Sequence, residues 1–182
     1  MTVDRCEISR RFRAIDAAYR AGDVESLRQG LGDPPDFPNC RQPFELGIGD
    51  FPLEYAIYWS PLAFIAELVE LGADLNYPDS SGFPSLIAAL SSDRPERGRI
   101  LRLLLEKGAD VGQRGVNDWT PLHYAVGRRD LEAVSALLAY GADPALPTRI
   151  DDRTSPIEVA EACGFAEAVK LMRKAQDRRR NP

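Results

Sequence analysis

Histidine is nearly missing from this sequence: His123 stands alone among 182 residues. A single imidazole with no cysteine, serine or carboxylate at partner spacing makes neither a catalytic triad nor a metal set. Cysteine is almost as scarce. Cys6, Cys40 and Cys163 are odd in number and fall in no C-x-x-C arrangement, which argues against a disulfide framework and a zinc site and suits a reducing compartment. No stretch approaches the roughly 18 apolar residues of a membrane span, and the N-terminus has no apolar core behind its charges. A cytoplasmic protein without membrane contact is expected. There is no phosphate loop of the G-x-x-x-x-G-K-S type. Clustered basic charge is lacking too. The 23 Lys and Arg residues are outnumbered by 28 Asp and Glu, for a net charge of −5, so a sequence-independent grip on nucleic acid is disfavoured. The one basic run, within Arg173 to Arg180, sits on the terminus, and 176–182 is expected to be a solvated basic tail.

What the chain has instead is a recurring phrase. Leu71-Gly72-Ala73-Asp74-Leu75, Lys107-Gly108-Ala109-Asp110-Val111 and Tyr140-Gly141-Ala142-Asp143-Pro144 repeat with glycine spacings of 36 and 33 residues. A period in the thirties marks stacked supersecondary units, each burying its apolar face on its neighbour. Ahead of each phrase lie apolar residues at helical spacing: Phe64, Ile65, Leu68 and Leu71; Ile100, Leu101, Leu104 and Leu105; Leu131, Val134, Leu137 and Leu138. The glycine then supplies the left-handed residue that stops the helix.

An earlier helix start also repeats, as Phe51-Pro52-Leu53-Glu54-Tyr55-Ala56, Pro84-Ser85-Leu86-Ile87-Ala88-Ala89, Thr120-Pro121-Leu122-His123-Tyr124-Ala125 and Ser155-Pro156-Ile157-Glu158-Val159-Ala160. Thr120 is placed to cap a helix whose first position, Pro121, already has the right φ, and Ser155-Pro156 repeats the device. Ala18, Ala56, Ala89, Ala125 and Ala160 fall 38, 33, 36 and 35 residues apart, where small side chains let paired helices approach. The third segment matches T-P-L-H-x-A residue for residue, and with its surroundings it resembles an ankyrin repeat. The resemblance implies an all-α ankyrin-repeat solenoid of about five helix-turn-helix units with protruding finger loops. These are 5–31 as N-terminal cap, 50–73, 83–109, 119–142 and 154–175 as C-terminal cap, in one domain spanning 1–182. It also implies that His123 hydrogen-bonds neighbouring repeats together.

Several departures stand out. Residues 32–49 carry Pro34, Pro35, Pro38 and Pro43, too many for a helix, and are expected to be a structural spacer. Ser91–Gly98 should bulge between two helices. Thr148–Asp152 should enlarge a finger, and Pro84-Ser85 inverts the Thr-Pro order, weakening that cap. Carboxylates such as Glu67 and Glu70 fall at helical surface spacings that a solvated face explains. Cys163 reads as packing.

The sequence thus points to a non-catalytic module, with no cofactor and no metal. By the resemblance, the finger tips and first helices form a concave face that binds another protein. On the fingers stand Tyr77, Asp79, Phe83, Gln113, Arg114, Asn117, Trp119 and Arg149; on the helices, Tyr55, Tyr58, Trp59, Tyr124 and Arg128. Aromatic residues and arginine make interface hot spots. Trp119 is expected to project with little behind it, while Trp59 and Tyr55 have the alternative of packing on the proline-rich loop. Two other functions fit the same residues. One is an immunity or antitoxin-type protein that blocks a cognate toxic enzyme. The other is an enzyme or small-molecule binder built on the proline-rich loop and the Ser91–Gly98 bulge, which predicts a closed polar pocket. Charged caps at both ends predict a monomer.

Overall fold

In the computed structural model, residues 5–43, 49–78, 82–150 and 152–180 are described. They form two compact units, 1–77 and 78–182. Among the described residues the regular structure is helical throughout.

The first unit holds α1 (Arg5–Ala21), α2 (Val24–Leu31), α3 (Pro52–Trp59) and α4 (Leu62–Glu70), paired as α1 with α2 and α3 with α4, with α1 packed on α3. Helix α1 buries Ile15, Ala18 and Tyr19 on one stripe. Asp23 starts α2 by accepting the Ser26 N–H at 3.0 Å. The proline-rich segment is pinned through Asn39 and Gln42. The Asn39 side chain donates to Gly72 O at 3.0 Å and accepts from Asp74 N at 2.7 Å, while Gln42 reaches Gly49 O at 2.7 Å. Within the segment, Pro38 and Cys40 are buried. Residues 44–48 of the segment lie outside the described residues.

The second unit stacks three hairpins: α5 (Ser85–Ser91) with α6 (Arg97–Glu106), α7 (Pro121–Gly127) with α8 (Leu131–Ala139), and α9 (Pro156–Ala162) with α10 (Ala166–Arg180). The first helices α5, α7 and α9 pack in one layer and the second helices α6, α8 and α10 in the other. Leu86, Ile87, Leu104, Leu122, Val134, Leu137 and Met172 fill the space between. The alanine of each first helix is fully buried at Ala89, Ala125 and Ala160, so a larger side chain there has nowhere to go.

The recurring phrase now has a mechanism for each letter. Gly72, Gly108 and Gly141 sit at φ of 92°, 90° and 90°, the left-handed conformation that ends the second helix. The alanine after each is buried. The aspartate then folds the chain outward in an Asx turn: Asp74 accepts from Asn76 N at 2.8 Å, Asp110 from Gly112 N at 2.8 Å and Asp143 from Ala145 N at 2.9 Å. The link between α5 and α6, residues 92–96, is longer than the 128–130 link between α7 and α8, where the bulge was expected. Pro84 stands at the cap of α5 with no side-chain hydrogen bond. Helix α10 runs on to Arg180 with residues 177–179 exposed, and Arg179 also reaches Asp143 at 3.3 Å and Gly141 O.

Candidate interaction surface

Two neighbouring fingers of the second unit are locked together by one carboxylate. Asn117 and Asp118 both take left-handed backbone, φ 57° and 58°, which asparagine and aspartate tolerate better than most residues. That turn aims the Asp118 carboxylate inward. It accepts from Arg114 Nη1 at 2.7 Å, and from Arg149 through the backbone N–H at 2.5 Å, Nε at 3.0 Å and Nη2 at 2.5 Å. Arg114 also donates to Asp118 O at 3.0 Å and Pro147 O at 2.9 Å. These hydrogen bonds, led by those of Arg149, hold the carboxyl down at about 2 against the ordinary 3.8. The Asp118 side chain is 8% exposed and that of Arg149 72%. The carboxylate is therefore a structural clamp, and Arg149 the part still facing solvent.

Behind the clamp lies the histidine. His123 is fully buried. Its Nε2 donates to the Thr154 carbonyl in the next repeat at 3.0 Å. A carbonyl only accepts, so Nε2 carries the proton and Nδ1 is left to accept, from Thr120 N at 3.2 Å and Thr120 Oγ1 at 2.9 Å. Burial pulls the imidazole below its ordinary value of 6.5, opposed by the bond to Thr154. With both nitrogens committed, it has no lone pair to offer as a general base. It joins repeats, as the resemblance implied. Arginines repeat the theme: Arg128 donates to Asp93 at 2.8 Å and Arg129 to Cys163 O at 3.0 Å, each across about one period.

The structure packs three of the expected contact positions against other side chains. Tyr77 is 1% exposed, stacked on Phe51 with ring centroids 5.4 Å apart, so it belongs to the core of the first unit. Trp119 does not stand free. It is half-buried, nearly parallel to His123 at 6.2 Å and edge-on to Tyr124 at 6.1 Å. Glycine at position 127 leaves the room it occupies, since a Cβ there would lie 3.1 Å from the indole. Tyr55 is also buried, its ring 4.6 Å from Tyr19 and its hydroxyl donating to Asp16 at 2.8 Å. Burial first, and Asp16 second, push that phenol up to about 12.

Of the remaining positions, Asn117, Arg128 and Arg149 are exposed, while Phe83, Gln113, Arg114, Tyr124 and Tyr58 are half-buried. Trp59 is 46% exposed on the first unit, with the Arg20 guanidinium 5.1 Å above its ring. Asp79 lies outside the described residues. Sequence reasoning missed Val116 and Ile150, apolar side chains 37% and 48% exposed on the two clamped fingers. The available signal was the spacing of Asp118 and Arg149, about one repeat apart, which marks the fingers as partners.

The expected closed polar pocket is not what the Ser91–Gly98 link forms: the space beside it is an open groove of about 440 Å³. No group of three His, Cys, Asp or Glu side chains gathers at metal distance among the described residues. No helix among them is long and apolar enough to cross a membrane.

Stacked helical hairpins, joined by inter-repeat hydrogen bonds and bearing finger loops at one edge, define a helical-repeat protein. Residues 96–180 match the family description of ankyrin repeats in three copies. That stretch of the chain is made of ankyrin repeats. Among curated proteins it is similar to palmitoyltransferase Hip14 of Drosophila melanogaster, 36% identical over 140 residues that make up 70% of this chain and 21% of that protein. Ankyrin repeat protein nuc-2 of Neurospora crassa is 32% identical over 127 residues, 69% of this chain and 11% of that one. BCL-6 corepressor-like protein 1 of Homo sapiens is 40% identical over 75 residues, 41% of this chain and 4% of that one. The chain thus spans about a fifth or less of these relatives, and the transferase activity in the first name is not carried over.

Proposed function

We propose that this chain recognises another protein, without catalysis, through the finger tips and first helices of its second unit. The observation that carries this reading is the Asp118 clamp. Two loops that would otherwise be mobile are cross-linked by charge-assisted hydrogen bonds, so Val116, Asn117, Arg149 and Ile150 are offered to solvent on a preorganised support. Ordering these side chains in advance removes part of the entropy that binding otherwise costs. Arg128 and the half-buried Tyr124 continue the surface along α7. A monomer in a reducing compartment such as the cytoplasm fits Cys40 and Cys163, which stand as free thiols.

The test places a photo-crosslinking residue at position 150 and captures partners with Ile150→Glu, Arg128→Glu and, on the exposed flank of α6, Glu106→Lys. An adduct at position 150 to a protein lost by the first two variants and kept by the third supports the reading. A partner kept by all three refutes it.

A further inference from the structure

The layer of second helices carries two grooves that treat charge differently. Between α6 and α8 the lining acids are taken up, Asp130 by Arg97 at 2.7 Å and Glu132 by Arg102. One repeat on, between α8 and α10, lies a groove of about 380 Å³ lined by no acidic side chain among the described residues. Its floor is apolar, built from Leu138 and Ala139 on α8 and Leu171 and Ala175 on α10, and Lys174 and Arg178 line its α10 side. Tyr140, which follows Ala139, is 47% exposed.

These two cations are not spent elsewhere. Arg179, the third in the lining, reaches Asp143 at 3.3 Å and Gly141 O, whereas Lys174 and Arg178 are exposed and make no ion pair or hydrogen bond among the described residues. The nearest acid along the helix, Asp177, lines the groove on the other flank of α10 together with Glu161, Lys170 and Arg173. There Glu161 holds Arg173 at 2.8 Å. The helix dipole accounts for cations in the last turn of α10, but Lys174 precedes that turn. Two positive charges therefore stand uncompensated beside an apolar floor, in a chain of net charge −5.

We infer that this groove docks an acidic amphipathic helix of a partner protein. Lys174 and Arg178 are one turn apart, about 6 Å along the axis, and so are Leu171 and Ala175. A helix with an apolar stripe and Glu or Asp beside it presents both rows at that same pitch. The walls are helices whose backbone groups are bonded within themselves, so they offer no edge to an extended peptide, and a helical guest brings its own satisfied backbone. The uncompensated cations select acidic side chains and repel basic ones, and Tyr140 adds an exposed aromatic ring of the kind that anchors interfaces. The apolar floor lies between two helices rather than protruding toward a flat lipid surface, and two cations fall short of the track that a nucleic-acid backbone needs. The site is separate from the finger surface and does not rest on the function proposed above.

The experiment titrates the full chain into a short labelled helical peptide with leucines on one stripe and glutamates beside it, read by fluorescence anisotropy. Its comparators are a scrambled peptide of the same composition, the same peptide with lysine for glutamate, and vesicles of phosphatidylcholine with phosphatidylserine. Saturable binding of the first peptide alone is expected, with shifts of the Ala139 and Ala175 amides in ¹⁵N-labelled chain. Lys174→Gln with Arg178→Gln should weaken it by about tenfold or more. Arg10→Gln with Arg13→Gln, the same loss of charge at exposed positions of α1, should leave it unchanged. Equal binding of the scrambled peptide, binding that survives the groove variant or that the α1 variant weakens as much, or attachment to the vesicles in place of the peptide overturns the inference.

Discussion

Gly115→Ala isolates the contact that builds the finger of the second unit. Gly115 has φ −121°, outside the left-handed region that favours glycine, so its φ admits alanine. The space does not. A Cβ there would lie 2.3 Å from the Gly82 carbonyl oxygen, 2.8 Å from Ile87 Cδ1 and 3.0 Å from Pro84 Cδ. The oxygen it strikes is the one that accepts the Val116 N–H at 2.8 Å, so relief requires the two strands of chain to part and that bond to lengthen. Overpacking of this kind costs about 1–3 kcal/mol. A weakened backbone hydrogen bond adds about 1 kcal/mol, giving a destabilisation of about 2–4 kcal/mol. For a chain of this size that lowers the melting temperature by about 4–16 °C. Urea denaturation followed by helical circular dichroism measures it. Gly98→Ala is the internal control, because its Cβ meets open space within α6 and should add about 0.5–1 kcal/mol. A Gly115→Ala variant within about 0.5 kcal/mol of the parent chain would refute the reasoning.

Other outcomes follow from the same geometry. His123 takes up its proton at lower pH in the folded chain than in the unfolded one. Its contribution is therefore present above the ordinary value of 6.5 and is lost as pH falls through the lowered one. Because it is the sole histidine, His123→Gln should flatten the stability-versus-pH slope just below neutrality. The Asp118 carboxyl, held at about 2, should protect the Arg149 amide from exchange at pH values where ordinary carboxylates are protonated; Asp118→Ala, which removes the acceptor, should abolish that protection at every pH. Leu137→Ala, in the fully buried middle of α8, should cost about 2–5 kcal/mol by urea titration. Iodide should quench Trp59 in a Trp119→Phe chain far more than it quenches Trp119 in a Trp59→Phe chain, since the first indole is exposed and the second packs on His123.

Much of the helical framework was legible because its signals are local. A proline after Thr120 starts a helix, a glycine at position 141 stops one, and leucines at spacings of three and four face inward; each depends on the chain within a turn or two of itself. The surface was harder to read because exposure belongs to no single residue. Trp119 looks like a free aromatic on a finger until Gly127, eight positions on and around a helical turn, proves to leave a slot for its ring. Tyr77 has the same aromatic character as Trp59, yet one stacks on Phe51 in the core and the other meets water beneath Arg20.

The amino-acid sequence alone determined the repeat, its period and the turn chemistry that closes each unit, because backbone preferences and apolar periodicity act over a few residues at a time. Only the tertiary structure decided which charges meet. Asp118 and Arg149 are 31 positions apart, and so are the two partners of the His123 bond to Thr154. Their pairing depends on the stacking of whole hairpins, which sets positions to within an ångström and which no local preference encodes.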